Sequence, residues 1–137
     1  MVTRTKSRLD GLRGFTLIEL MIVISIILIL VAIAVPMYQQ SVIRAKEAVL
    51  RQDLKTMRDQ IDNFTMDKEK APQALQDLVD AGYLRKIPSD PFTGSAETWQ
   101  VENSDTLISL DQTEPGISDV HSGSNVVGSD GTAYSSW

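Results

Sequence analysis

Apolar residues are concentrated at the front of this chain. From Leu20 to Val35 every side chain is apolar except Ser25. Phe15 to Val35 is about 21 residues, the length a helix needs to cross the hydrocarbon core of a bilayer. Pro36 follows; it has no N–H, and its ring clashes with the carbonyl of Ala32, so a kink or a locally melted stretch is expected there. Beyond it the pattern turns amphipathic. Leu50, Leu54, Met57, Ile61 and Phe64 recur in alternating steps of four and three, one helical stripe, while Arg44, Lys46, Glu47, Arg51, Asp53, Lys55, Arg58 and Asp59 fall to the other faces. The stripe lasts about two heptads, too few for a coiled-coil seam, so packing on a small domain is expected. A helix kept from Phe15 to about Glu69 would be a rod of roughly 80 Å.

After the stripe the punctuation becomes dense. Lys70-Ala71-Pro72 ends the long helix, because Pro72 biases its predecessor away from helix. Gln73 to Ala81 predicts a short helix with Leu75, Leu78 and Val79 inward and Gly82 as its stop. Pro88-Ser89-Asp90-Pro91-Phe92-Thr93-Gly94 reads as a turn-rich loop. Strands are expected at 98–102 and 106–110, joined by a hairpin turn at Asn103-Ser104-Asp105, with Trp99 and Val101 alternating onto one face, as do Ile108 and Leu110. A third strand is expected at 117–120. The predicted fold class is therefore α+β, a long N-terminal helix packed on a small three-stranded antiparallel head. Its last segment is polar and held down by Tyr134 and Trp137.

Charge narrows the functions open to such a chain. The formal net charge is −5, no Lys or Arg occurs after Lys86, and that same stretch carries eight acids. Binding to a phosphate backbone needs clustered cations, so nucleic acid is disfavoured as a partner. There is no cysteine and His121 is the one histidine. A thiolate site, a two-histidine zinc site and a disulfide staple are thereby excluded. Gly123, Gly128 and Gly131 lack the lysine and following helix of a phosphate-cradling loop. Asp77 and Asp80 read as a solvated helix face. Nothing here assembles into catalytic machinery, and an enzyme is not expected. Asp119, Asn125 and Asp130 lie in a Gly- and Ser-rich stretch whose oxygen ligands suit calcium, with Asx turns as the alternative use of the same side chains.

The N-terminus admits three readings. Arg4, Lys6, Arg8 and Arg13 against Asp10 place the start of the chain in the cytoplasm by the positive-inside rule. With the apolar run and Ala32-Ile33-Ala34 they imitate a secretory signal cut after Ala34, against which stand Glu19 inside the apolar segment and Pro36 just past the cut. A retained anchor is the second reading, in which Glu19, one turn from Gly14, reaches back to the headgroups. The third is processing between Gly14 and Phe15 with the helix kept.

Gly14-Phe15-Thr16-Leu17-Ile18-Glu19-Leu20-Met21-Ile22-Val23 resembles the class III signal of type IV pilins and type II secretion pseudopilins. The stretch Ala81-Gly82-Tyr83-Leu84-Arg85-Lys86 with the Asp90-Pro91-Phe92 turn is similar to the major pseudopilin branch. That resemblance implies a leader over 1–14 cut by a prepilin peptidase and N-methylation of Phe15. It further implies a membrane and filament-core helix over 15–35, an amphipathic half over 36–70 and a head over 71–137. It also implies that Glu19 pairs with the free Phe15 amine of a neighbouring copy, a helix-breaking role for Pro36 and a calcium-binding C-terminal loop. This chain departs from the usual loop in having Asp130 as its only acid after Asp119. Expected partners are further copies of the chain, minor pseudopilins, an assembly ATPase and an inner-membrane platform. The expected location is the bacterial inner membrane, single-pass with the N-terminus cytoplasmic, and then a periplasmic or extracellular filament. The implied function is a structural subunit of a type II secretion pseudopilus. The alternatives are a type IV pilin for adhesion, motility or DNA uptake, and a membrane-tethered calcium or ligand-binding module that never polymerises.

Overall fold

A computed structural model describes residues 14–137 apart from 108 and 112. Helix α1 spans Leu17–Lys68 without a break, α2 spans Leu75–Asp80, strand β1 is Gln100–Asn103, strand β2 is Ile117–His121, and a 3-10 turn covers Tyr134–Ser136. The chain divides into two compact units, with the boundary after Gln39.

The first unit consists, in its described part, of the apolar portion of α1. Thr16 opens the helix: its hydroxyl accepts from the Glu19 N–H at 3.2 Å and its carbonyl from the Leu20 N–H at 3.1 Å. Exposed residues line every side of this segment, Leu17, Met21, Leu28 and Ile33 among them. A helix that is apolar all round is one built for a non-aqueous surrounding. By length and composition α1 is able to cross a membrane. Ser25, the exception in the run, donates its hydroxyl to the Met21 carbonyl at 2.7 Å, so its polarity is spent inside its own helix. Helical geometry carries on through Pro36, so no melted stretch forms there, although the proline still leaves the Ala32 carbonyl without its usual donor.

In the second unit the predicted stripe is the core. Leu50, Leu54, Met57, Ile61 and Phe64 are buried on α1 and meet Leu75, Leu78, Trp99, Ile117, Val120 and Tyr134. Glu69 ends α1 in the left-handed region, φ 54°. Ala71 and Pro72 are buried immediately after it. Two anchors hold α2. The Asp77 carboxylate accepts from the N–H groups of Gln73 and Ala74 at 2.9 and 3.0 Å, so this acid is a helix cap and not simply a solvated charge. At the other end Gly82, φ +84°, allows Tyr83 N–H to reach the Leu78 carbonyl at 2.8 Å and its own N–H to reach Val79.

The sheet differs from expectation. Among the described residues it has two strands, not three, and β1 pairs antiparallel with β2, placing Gln100 opposite His121, Val101 opposite Val120 and Glu102 opposite Asp119. Among the described residues of 106–110 no strand forms. Ser104 prevents it: its hydroxyl bonds the backbone of Thr106, curling the chain into a local turn, while its N–H goes to the Gly116 carbonyl at 2.9 Å. The expected tight hairpin is instead a longer loop closed between Ser104 and Gly116. Leu107 and Leu110 are exposed on it, and the inward role expected for Leu110 is not realised; Ile108 lies outside the described residues. Trp99 is buried, its indole N–H held by the Pro88 carbonyl at 2.7 Å, but Val101 is exposed and does not share its face.

Candidate functional site

Three groups of side chains carry the chemistry of this chain. The first is the opening turn of α1. Gly14 and Phe15 precede the helix and are exposed. Thr16 caps it and Glu19 stands in its first turn, where the positive end of the helix dipole favours a carboxylate. The Thr-x-x-Glu spacing is that of a capping box, a signal the sequence itself carries. An acid that looks expensive in an apolar run is therefore placed at the one end of the helix that attracts it.

The second is an anchor for the C-terminal segment. Glu47, expected on a solvent face, is buried on α1 and only 4% exposed. Its Oε1 accepts from the Ser129 N–H and the Tyr134 hydroxyl, each at 2.8 Å, and its Oε2 from the Ser129 hydroxyl. Hydrogen bonds from Ser129 and Tyr134 hold the Glu47 carboxyl below its usual range against the opposing effect of burial. Tyr134 is pushed up to about 12 by burial and by the adjoining carboxylate. Its ring stacks on Phe92 at 3.8 Å and meets Trp137 edge-on at 4.9 Å, so the two aromatics do pin the last segment. The position was legible in principle: 47 extends the 50, 54, 57, 61, 64 stripe backwards by one step of three.

The third centres on Arg58, also expected on a solvent face. Its Nε donates to Asp119 Oδ1 at 2.6 Å, and its Nη2 donates to the Val120 carbonyl at 2.9 Å and the Trp137 main-chain oxygen at 2.7 Å. One guanidinium thus joins α1, β2 and the last residue. Burial pushes the Asp119 carboxyl up, but the Val120 N–H and Arg58 outweigh it and the net direction is down. Nearby, Asp90 is completely buried. Its carboxylate accepts from Phe92 N–H, from the Ser122 hydroxyl and from Gly123 N–H, tying the proline-bracketed loop to the end of β2. Asp53 on α1 is raised by burial and then by the Asp90 charge.

Of the candidate calcium ligands, Asp119 is held by Arg58, and Asp130 accepts from the Thr132 N–H and hydroxyl in an Asx turn and lies 3.9 Å from Arg51. Asn125 is exposed. Each carboxylate therefore has its own set of protein partners. His121 is half-buried and its Nδ1 lies 2.7 Å from the Trp137 main-chain oxygen.

Residues 12–35 match the prokaryotic N-terminal methylation motif. Over 96 residues, 58% of this chain and 69% of the relative, the sequence is 32% identical to type II secretion system core protein G of Klebsiella pneumoniae. Over 95 residues, covering 67% of the relative, it is 35% identical to the core protein G of Pseudomonas aeruginosa. The chain belongs to the type II secretion system core protein G family. A shorter match, 44% identity over 63 residues and 39% of the relative, is to the type IV major fimbrial protein FimA of Dichelobacter nodosus. No solved structure matches the chain significantly. In this chain the motif match overlaps the apolar part of α1, and Thr16 and Glu19 both lie inside the matched residues.

Proposed function

We propose that this chain is the polymerising subunit of a type II secretion pseudopilus, stored in the inner membrane by α1 and then packed through the same helix into a filament core. The observation that carries the reading is the coincidence, in one stretch, of an unburied all-apolar helix with an acid in its capped first turn directly after Gly14-Phe15. Apolar surface leaving lipid for a helix bundle stays out of water, so the transfer avoids a hydrophobic penalty of about 25 cal/mol per Å². Cleavage before Phe15 creates an ammonium, and Glu19 of the next copy neutralises it; either charge alone would be costly in an apolar core.

The basic residues ahead of Gly14 keep that end cytoplasmic and put the head across the membrane. A prepilin peptidase makes the cut, and an assembly ATPase with a membrane platform supplies the work of extraction. Matches to core protein G run over 95 or 96 residues, whereas the FimA match stops after 63, which favours secretion over a fimbrial role. Calcium at the C-terminal segment stays part of the same proposal, with Asp119, Asn125 and Asp130 as its ligands; it would have to compete with Arg58 for Asp119 and with Arg51 and Thr132 for Asp130.

Intact mass of the protein extracted from membranes tests the reading. A start at N-methylated Phe15 is expected, with Glu19→Ala processed normally but absent from sheared filaments. A start at Val35, an uncut Met1, or filaments undiminished by Glu19→Ala would overturn it.

A further inference from the structure

The pairing of β1 with β2 places Glu102 directly opposite Asp119, and His121 two residues further along β2, so all three point to one face of the sheet. His121 Nε2 lies 3.5 Å from Glu102 Oε2 and 3.5 Å from Asp119 Oδ2, and the three atoms fall within 4.8 Å of one another. We propose that this face binds a borderline divalent ion of the zinc type through Glu102 Oε2, Asp119 Oδ2 and His121 Nε2, fastening β1 to β2.

The spacing suits such an ion. With bonds of about 2.1 Å to nitrogen and oxygen, the edge of a tetrahedron is about 3.4 Å, close to the two His–carboxylate separations. Glu102 is a largely exposed side chain and can turn to close the third edge. The surroundings fix the other two ligands. A main-chain oxygen cannot donate, so the 2.7 Å contact from Trp137 to Nδ1 requires that Nδ1 carry the proton. In the neutral ring, the Nε2 lone pair then faces two carboxylate oxygens, a set of three donors that either a metal ion or a second ring proton fills. Arg58 grips Asp119 through Oδ1 and leaves Oδ2 for the ion, and it also holds the Trp137 oxygen that orients the imidazole. Ligands positioned through their second atoms in this way are what a metal centre needs. An imidazole in the set selects zinc over calcium, which takes oxygen ligands and more of them. This site shares one residue, Asp119, with the calcium candidates and none with the assembly turn. A two-stranded sheet of four- and five-residue strands in a chain with no disulfide has the most to gain from such a clamp.

The test uses the full-length chain in detergent, stripped with a chelator and titrated calorimetrically with zinc chloride or calcium chloride. Thermal unfolding is followed in parallel by near-ultraviolet circular dichroism. Zinc is expected to bind at least about tenfold more tightly than calcium and to raise the unfolding temperature. Glu102→Gln, a change at an exposed position that leaves the core intact, should weaken zinc about tenfold or more, as should His121→Ala, while Asp130→Asn leaves zinc unchanged. Zinc affinity indifferent to both Glu102→Gln and His121→Ala overturns the proposal. So does an absence of zinc binding together with ring nitrogen shifts that show a doubly protonated His121, since a proton would then fill the place assigned to the ion.

Discussion

The Tyr134 hydroxyl donates to Glu47 Oε1 at 2.8 Å across a sequence separation of 87 residues. Through that bond and its neighbours from Ser129, a buried carboxylate on α1 becomes the fixed point to which the last segment is fastened. Glu47→Ala removes the acceptor and leaves a buried tyrosine hydroxyl and a serine N–H unpaired, at a cost of about 2–4 kcal/mol. Tyr134→Phe keeps the stacking on Phe92 and loses one hydrogen bond to a charged group, about 1.5–3 kcal/mol. Urea unfolding read by tryptophan fluorescence, with Trp137 next to the anchor, checks both and should rank them in that order.

Acid should act on Glu47 and Asp53 with opposite signs. The Glu47 carboxyl is lowered in the folded protein, so its stabilisation is complete above the usual 4.5 and is lost as pH falls through the depressed value. Asp53 is raised, so its ionised form costs stability at neutral pH and that cost disappears as pH falls through the raised value. Asp53→Asn is expected to raise the unfolding temperature at pH 7 and to match wild type near pH 3. Glu47→Gln should be least stable relative to wild type at pH 7, with the gap narrowing on acidification. Thermal scans at several pH values check both slopes.

Two glycines separate steric from conformational need. A Cβ on Gly123 would sit 2.2 Å from the Thr98 carbonyl oxygen, which is backbone and cannot swing away. A Cβ on Gly82 meets nothing, but the residue holds φ +84°. Gly82→Ala should therefore cost about 1–2 kcal/mol, and Gly123→Ala should cost more and disturb the Asp90 contact beside it. Chemical denaturation of the two variants gives the comparison, and amide shifts around Asp90 should move only in the second.

Met57 is fully buried and Ile27 is about half exposed, although both are apolar residues of α1. Met57→Ala opens a cavity in the head and should cost about 2–5 kcal/mol of its stability. Ile27→Ala should leave unfolding of the head unchanged within about 0.5 kcal/mol and reduce filament yield instead. The pair is read by thermal unfolding in detergent and by sedimentation of sheared filaments.

Much of this architecture could be read from residue order, because α1 announces itself twice, first as an uninterrupted apolar run and then as a period of three and four. The stop at Glu69, the short helix at Leu75–Asp80 and its glycine terminus follow from local turn chemistry and lie within a residue or two of their expected places. Glu47 and Arg58 were hidden because a charged side chain on an amphipathic helix is ordinarily assigned to water. Their burial depends on partners from positions 119 to 137, which no local pattern reveals. The sheet was misjudged for the same reason. A tight hairpin is the nearest pairing for β1, yet Ser104 satisfies Thr106 locally and β1 takes a partner beyond Gly116. Of the candidate site, both the residues of the opening turn and, in the Thr16-x-x-Glu19 spacing, the cap that suits Glu19 to its place are carried by local sequence.

Ser25 turns its hydroxyl back onto Met21. In a bundle of such segments no side chain between Leu20 and Val35 then seeks a hydrogen bond from a neighbour. Under the proposed pairing of Glu19 with the Phe15 amine of the next copy, axial placement would rest on the charges at the opening turn, while rotation of one helix against the next would meet only aliphatic surfaces. A polymer built on that proposal would be stiff in its rise and soft in its twist, and could be wound under torque without breaking a side-chain hydrogen bond along its core.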